Sequence, residues 1–166
     1  MRPPAGVSWR GEVVPADAAA VGGLVRHTGF FSEEEAAIAM ELVEERLARG
    51  PASGYEFLLA EDGEGLAGYA CFGRIPGTLS SFDLYWIAVR PADQGRGLGK
   101  EILARVEALS RAQGAARMYV DTSSRLLYQP TRAFYGRAGY QVAATFPEFY
   151  APGDAKVVFC KDLGPA

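Results

Sequence analysis

Histidine and cysteine are scarce in this chain, which holds one histidine and two cysteines among its 166 residues. His27, Cys71 and Cys160 lie far apart, so they have neither the spacing of a metal site nor that of a disulfide framework. We therefore expect no metal cofactor, and we expect both thiols to stay reduced.

Long apolar runs and basic stretches are also missing. The longest apolar segments are too short to span a bilayer, and the first residues do not have the pattern of a signal peptide. The 20 acidic residues outnumber the 17 basic ones, and the net charge of −3 makes nucleic acid and an anionic membrane poor candidate partners. The expected location is the cytoplasm.

The length predicts a single domain, residues 1–166, large enough to bury a substantial core. Periodicity and turn residues predict seven strands and four helices in the order β-α-α-β-β-β-α-β-α-β-β. The strands are expected at 7–14, 55–60, 66–73, 79–89, 117–121, 140–146 and 156–160, and the helices at about 16–27, 33–49, 97–113 and 130–137. The helix between the fourth and fifth strands should make that pair parallel, while the other neighbours can pair antiparallel. The predicted fold class is α/β (α+β), with a mixed, mostly antiparallel sheet flanked by four helices.

Two helix starts carry capping signals. Asp17 in the first turn of the first helix is available to cap free N–H groups. Ser32 is expected to cap the second helix, and Glu35 three residues later completes the pattern of a capping box.

The segment from Val89 to Lys100 is the most informative part of the chain. It follows an apolar strand and leads into a helix, and Gly95, Gly97 and Gly99 occupy alternate positions in it. Glycines let the backbone turn sharply and approach a ligand, and a helix start offers free N–H groups at the positive end of its dipole. The segment therefore predicts an anion site, most often one for phosphate.

Known glycine patterns fit this segment unequally. A Rossmann fingerprint needs Gly-x-Gly-x-x-Gly, whereas the spacing here is Gly-x-Gly-x-Gly. A P-loop is excluded because Glu101, not Ser or Thr, follows Lys100. A tight turn without a ligand stays open, although it does not explain why Gln94 and Arg96 accompany the glycines.

The run Gln94-Gly95-Arg96-Gly97-Leu98-Gly99 resembles the Gln/Arg-x-x-Gly-x-Gly/Ala signature of the GNAT superfamily of acyl-CoA-dependent N-acyltransferases. The run Ile87-Ala88-Val89-Arg90-Pro91 is similar to the strand that precedes this signature, and Arg132 to Tyr140 resembles the late Phe-Tyr-x-x-x-Gly-Phe/Tyr motif. Residues of about 55–140 carry the specific resemblance to the GNAT superfamily. It implies an acyl-CoA-binding core at about 79–140, and acceptor-side helices at about 16–50.

The resemblance implies acetyl-CoA as the acyl donor. Its pyrophosphate would be bound by backbone N–H groups of the glycine loop and the helix start, namely Gly95, Arg96, Gly97, Leu98, Gly99 and Lys100. Gln94, which begins the signature, is also expected to bind the cofactor. The pantetheine arm would pair with the open edge of the fourth strand, at Ile87, Ala88 and Val89, where this strand splays from the fifth. The Val89 N–H would stabilise the oxyanion of the reacting thioester. Two alternatives are kept for the side chains of Arg96 and Lys100: direct contact with phosphate, or exposure to solvent.

The same resemblance implies a general base and a general acid. Asp83 matches the position where histone-acetylating members carry a catalytic Glu, and its shorter side chain favours action through a water; the alternative is an Asp exposed at a strand end. Tyr135 matches the tyrosine that protonates the departing thiolate, and the alternative is a tyrosine that only packs on the sheet. Tyr85 shares the face of Asp83 and is expected to line the acceptor pocket or relay a proton; the alternative is an aromatic residue that only packs. Cys71 has no His nearby and is interpreted as a packing residue.

One position departs from the family pattern. Many members have an Asn seven residues before the catalytic Tyr, and this chain has Tyr128 there, so Thr131 or Arg132 is the expected substitute. The acceptor site is expected to be built from the first two helices, their Gly29-Phe30-Phe31 joint, the Arg74-Ile75-Pro76 turn and the final hairpin around Phe149-Tyr150. Phe31 and Arg125 are expected among its residues. Arg125 would hold a carboxylate of an amino-acid-like acceptor, or the aromatic residues would line an apolar pocket; both interpretations stay open.

The predicted function is an acetyl-CoA-dependent N-acetyltransferase that acts on a primary amine of a small molecule by direct attack in a ternary complex. Two alternatives are kept: an acetyltransferase of protein N-termini or lysines, and a non-catalytic acyl-CoA-binding or sensing module. A homodimer is a possible assembly.

Overall fold

The computed structural model describes residues 6–164 and has the predicted order of elements. The strands are β1 Ser8–Arg10, β2 Glu56–Asp62, β3 Gly65–Arg74, β4 Ser81–Val89, β5 Arg117–Ser123, β6 Gln141–Ala151 and β7 Asp154–Asp162. The helices are α1 Ala16–His27, α2 Glu33–Arg49, α3 Leu98–Ala112 and α4 Gln129–Arg137. No helix of residues 6–164 has both the length and the apolar composition needed to cross a membrane.

The seven strands form one sheet in the order β1-β2-β3-β4-β5-β7-β6. All neighbours pair antiparallel except β4 and β5, which are parallel because α3 crosses from the end of one to the start of the other. The predicted fold class, including the parallel pair, is confirmed.

Apolar side chains cover both faces of the sheet. On one face α3 buries Leu98, Ile102, Leu103 and Val106, spaced at helical intervals, and α4 adds Tyr135. On the other face α1 and α2 bury a second cluster that includes Val21, Val25, Ala36 and Val43. The sheet therefore separates α1 and α2 from α3 and α4, and both pairs of helices reach the parallel strands.

The second helix begins as its sequence predicts. The Ser32 Oγ accepts a hydrogen bond from the Glu35 N–H at 3.1 Å, and the Glu35 carboxylate accepts one from the Ser32 N–H at 2.7 Å. This reciprocal capping box fixes the helix start directly after the Phe30-Phe31 joint.

Two local predictions were wrong at the start of the chain. The first strand is limited to Ser8–Arg10, instead of running to Val14, and Pro15 occupies the N-cap of α1 without a side-chain cap. Asp17 instead accepts the Val14 N–H at 2.7 Å and pairs with Arg10, also at 2.7 Å. The ion pair joins the last residue of β1 to the first turn of α1.

Candidate active site

A cleft opens where β4 and β5 separate. The two strands pair only from Ser81 to Asp83 on β4 and from Arg117 to Tyr119 on β5. Beyond that point they diverge, and a cleft of about 900 Å³ runs between them from the glycine loop to the joint of α1 and α2. The predicted splay is therefore present, and it forms the floor of the cleft.

A β-bulge in β4 determines which side chains face the acceptor side. Cys71 on β3 pairs with Trp86 and the next residue, Phe72, pairs with Leu84, so Tyr85 is the extra residue on β4. As a result, Tyr85 and Trp86 both pack with the α1–α2 cluster, and Leu84 stays in the α3–α4 cluster. The bulge brings Trp86 into the cleft lining, a role that sequence reasoning missed.

The last residues of β4 present free backbone groups to the cleft. The Arg90 N–H donates to the Ala67 carbonyl on β3 at 2.8 Å. Because successive backbone groups of a strand alternate between its two edges, the N–H of Val89 points to the opposite edge, which β5 has left. The same alternation directs the backbone groups of Ile87 to the cleft and those of Ala88 to β3. An extended ligand can therefore pair with Ile87 and Val89.

The glycine loop requires glycine at two of its three positions. Gly95 and Gly97 have φ angles of 73° and 90°, in the left-handed region that other residues avoid. Gly97 is the N-cap of α3, and no side chain caps the helix, so the first N–H groups are left for a ligand. Gly99 has an ordinary φ angle and lines the cleft from within the first turn of α3.

Side chains around the loop fix its shape. Gln94 donates from Nε2 to the Val89 carbonyl at 3.1 Å, which joins the loop to the end of β4. Arg96 pairs with Asp93 at 3.1 Å, and Arg90 pairs with the same carboxylate at 2.7 Å. The side chain of Arg96 does not line the cleft, and that of Leu98 is buried in the core.

The predicted cofactor residues otherwise meet in the cleft lining, which includes Ile87, Ala88, Val89, Gln94, Gly95, Gly97, Gly99 and Lys100. Lys100 is exposed at this end, and Arg137 of α4 lines the same region. Two cations beside an uncapped helix start suit an anionic ligand. Of the two substitutes expected for the missing Asn, Thr131 lines the cleft, whereas Arg132 donates to the Ser123 and Arg125 carbonyls at 2.7 and 2.9 Å.

Tyr135 lies where α4 meets the cleft and is 4% exposed. Burial raises the pKa of Tyr135 well above its usual range, so the phenol carries its proton throughout the physiological range of pH. Its ring packs against Phe134, Tyr140 and Phe159 at centroid distances of 5.5–5.8 Å, which holds the hydroxyl in one place.

Asp83 lies at the closed end of the splay, one residue before the part of β4 that lines the cleft. Burial, assisted by the nearby charge of Asp121 and opposed by Lys156, raises the pKa of Asp83 to about 6. Asp83 itself does not line the cleft, whereas the next two residues, Leu84 and Tyr85, do.

The acceptor end of the cleft has aromatic walls. Phe31 packs edge-on against Trp86 at 4.7 Å and against Tyr128 at 6.4 Å. Tyr128 donates a hydrogen bond to the Phe30 carbonyl at 2.8 Å and is 7% exposed. The predicted acceptor residues Tyr85, Phe31 and Arg125 all line this end.

Of the other segments expected at the acceptor site, the final hairpin contributes Tyr150 to the cleft lining, whereas the Arg74-Ile75-Pro76 turn does not line the cleft. Asp154 of β7 and Glu35 of α2 also line the cleft, and sequence reasoning missed both. Asp154 is 6% exposed and accepts a hydrogen bond from the Ser123 hydroxyl at 2.5 Å. No local motif marks these positions, since only the sheet order brings β7 beside β5.

His27 and Cys71 do not line the cleft. His27 is exposed at the end of α1. Cys71 is fully buried, and burial raises the pKa of its thiol far above the usual range, as suits a packing residue. Among residues 6–164, no three His, Cys, Asp or Glu side chains come together in a group that would hold a metal ion.

Comparisons with known proteins agree with this architecture. The family model of the acetyltransferase (GNAT) domain matches residues 53–142. A solved structure from Desulfovibrio desulfuricans, of a protein assigned to the GNAT family of acetyltransferases, is 43% identical over 96% of this chain and 100% of its own, with a TM-score of 0.92. None of the curated proteins matches the chain significantly.

More distant solved structures share the fold. An aminoglycoside 6′-N-acetyltransferase complexed with coenzyme A is 17% identical over 96% of this chain and 98% of its own, with a TM-score of 0.75. A ribosomal-protein alanine N-acetyltransferase from Escherichia coli is 17% identical over 96% of both chains, with a TM-score of 0.74.

Proposed function

The chain belongs to the GNAT family of acetyltransferases, and from that premise we propose that it transfers the acetyl group of acetyl-CoA to a primary amine of a small molecule. Attack is direct, in a ternary complex, and residues 1–166 act as one catalytic domain. The observation that carries the proposal is the open edge of β4, where the free Val89 N–H faces the same cleft as the helix start at Gly97.

The cofactor end of the cleft suits coenzyme A in charge and in shape. The free N–H groups after Gly97 receive the pyrophosphate, and Lys100 and Arg137 add positive charge. The pantetheine arm lies along Ile87 and Val89 as an added strand, which satisfies backbone groups that β5 leaves unpaired. The complex of coenzyme A with an aminoglycoside acetyltransferase of the same fold supports this assignment.

Asp83 serves as the general base through a water. With its pKa raised to about 6, the carboxylate is ionised at pH 7 and still basic enough to accept a proton from the incoming ammonium group. The neutral amine then attacks the thioester carbon. The carbonyl π electrons move to oxygen, and the Val89 N–H stabilises the resulting oxyanion.

Tyr135 serves as the general acid. Collapse of the tetrahedral intermediate breaks the carbon–sulfur bond, and the sulfur takes a proton from the phenol as it leaves. The buried Tyr135 is protonated when the reaction begins, as this step requires. The products are the acetylated amine and free coenzyme A, and the phenolate regains its proton by way of the proton released from the amine.

A small acceptor is favoured because the cleft is partly closed at its acceptor end. The Tyr128 hydroxyl and the Phe30 carbonyl bridge the two sides of the cleft. The volume of about 900 Å³ must also hold part of the donor, and cavities of this size take ligands of small-molecule dimensions.

Two measurements test the proposal. Acetyl-CoA should raise the melting temperature of the protein, and failure to do so at a saturating concentration would refute the donor assignment. Release of free thiol from acetyl-CoA should then occur with small amines. Thiol release only with peptides would instead indicate a protein acetyltransferase, and stabilisation without turnover of any amine or peptide would indicate a sensing module.

A further inference from the structure

The two ends of the cleft carry opposite charge. Only cationic side chains, Lys100 and Arg137, are charged among the described residues that line the cofactor end. At the acceptor end, three carboxylates line the cleft with a single guanidinium; the carboxylates belong to Glu35, Asp121 and Asp154, and the guanidinium to Arg125. An anionic donor and a cationic acceptor would each meet the charge that attracts it.

The cations at the acceptor end are already paired. Arg125 Nε lies 3.3 Å from the Asp154 carboxylate, and its guanidinium lies over the Tyr128 ring, 5.3 Å from the centroid. Behind the lining, Lys156 lies 3.1 Å from Asp121. An incoming carboxylate would therefore compete with Asp154 for Arg125 and would be repelled by the remaining acidic groups.

The walls of this end favour an apolar, aromatic or cationic group. Phe31, Trp86 and Tyr128 form a continuous aromatic cluster in which Phe31 contacts both of the others. Tyr85 and Tyr150 extend the aromatic lining on either side. Aromatic faces pack against flat apolar groups and attract ammonium groups, but they offer nothing to a carboxylate.

Resting on the proposed function, we infer that the acceptor is an amine carried on an aromatic or apolar body without a carboxylate, of the arylalkylamine class, and that α-amino acids are excluded. The negative charge of the acceptor end disfavours an acceptor that carries a carboxylate. The aromatic cluster of Phe31, Trp86 and Tyr128 favours an acceptor whose amine is attached to an aromatic or apolar group.

A matched set of acceptors tests the inference. The values of kcat/KM for 2-phenylethylamine, phenylalaninamide and phenylalanine are compared at one pH with saturating acetyl-CoA. The three share the ring and the amine, and only phenylalanine carries a carboxylate. We expect the first two to be acetylated with kcat/KM values at least about tenfold above that for phenylalanine, which corresponds to about 1.4 kcal/mol.

A variant tests whether charge causes this preference. Asp121→Asn removes one carboxylate and leaves Lys156 unpaired, so the ratio of kcat/KM for 2-phenylethylamine to that for phenylalanine should fall severalfold. Asp162→Asn is the matched control, because Asp162 is 71% exposed at the far end of β7, outside the cleft, and the ratio should not change. A purely structural effect would lower both values together and leave their ratio unchanged, which would contradict the inference.

The inference and the proposed function fail in different ways. Equal or better acetylation of phenylalanine would overturn the inference and leave the acetyltransferase function intact. If the protein acetylates an amino sugar and none of the three aromatic acceptors, the inference is also overturned and the acetyltransferase function is kept. If acetyl-CoA neither stabilises the protein nor releases thiol with any amine, the proposed function itself is wrong.

Discussion

The hydroxyl of Tyr128 donates a hydrogen bond to the carbonyl oxygen of Phe30 across 98 residues of sequence, at 2.8 Å. This bond links the turn before α4 to the joint between α1 and α2, at the acceptor end of the cleft. Tyr128 stands where the family commonly has an Asn that contacts the cofactor, so this chain uses the position to join the two sides of its cleft.

Replacing Tyr128 with Phe should weaken acceptor binding. The ring still packs against Phe30 and Phe31, but the joint of α1 and α2 loses its hydrogen bond to the turn before α4, a loss of about 0.5–1.5 kcal/mol. Steady-state kinetics should show a KM for the acceptor raised roughly threefold to tenfold, with the KM for acetyl-CoA changed far less. An equal rise in both KM values would argue that the bond serves general stability and not the acceptor side.

Replacing Tyr135 with Phe should lower kcat by about a hundredfold, within the range for loss of a general acid. Acetyl-CoA should still stabilise the variant, because the donor is bound by other groups. The loss should persist from pH 6 to 9, since the pKa of Tyr135 lies above that interval.

Tyr140→Phe is the matched control for Tyr135→Phe. Tyr140 is also a buried tyrosine, but its hydroxyl donates to Glu107 at 3.1 Å and lies outside the cleft lining. Its removal should cost stability, measured as a lower melting temperature, and leave kcat within about twofold. Full activity in Tyr135→Phe would show that another group protonates the thiolate.

The features of this site differ in how well the sequence alone predicts them. The glycine loop was predictable because its chemistry is local: left-handed φ angles at Gly95 and Gly97 and a helix start follow from neighbouring residues. The parallel pair of β4 and β5 followed from the length of the connection that contains α3. Such features need no knowledge of tertiary contacts.

The acceptor end needed the structure. The bulge at Tyr85 changes the face on which Trp86 lies, and an alternating strand pattern does not reveal a bulge. Asp154 enters the cleft only because the sheet places β7 beside β5. The charge pairing between Arg125 and Asp154, which bears on the choice of acceptor, depends on that same placement.

Replacing Asp83 with Asn should remove the low-pH limb of the rate profile. For the native protein we expect kcat/KM to rise with pH through about 6, as Asp83 loses its proton and becomes a base. In the variant this rise should be absent, and kcat/KM at pH 8 should be lower by roughly tenfold to a hundredfold. If the rise near pH 6 remains in Asp83→Asn, another group is the base.

The same substitution should change stability with a defined sign. An Asp in an unfolded chain has a pKa near 3.9, and the folded value is about 6. Between these values the folded protein holds a proton that the unfolded chain has lost, so Asp83 makes stability fall as pH rises through this window. Asp83→Asn should therefore raise the melting temperature more at pH 7 than at pH 4.

Replacing Gly97 with Ala should damage the cofactor end specifically. The φ angle of 90° at Gly97 is strained for any residue with a Cβ atom, at a cost of about 1–2 kcal/mol. The loop can relieve that strain only by moving the first N–H groups of α3 away from the position in which they point to the pyrophosphate. We expect a lower melting temperature and, by titration calorimetry, an affinity for acetyl-CoA reduced at least about tenfold.

Gly136→Ala separates this effect from the general consequences of adding a methyl group to a glycine. Gly136 lies inside α4 without a positive φ angle, and a Cβ atom there would meet nothing within 4 Å. Alanine should stabilise the helix by about 0.5–1 kcal/mol and leave acetyl-CoA affinity unchanged. If Gly97→Ala lost stability but bound acetyl-CoA as tightly as the native protein, the left-handed glycine would serve only the turn, and the N–H groups of α3 would not be the pyrophosphate site.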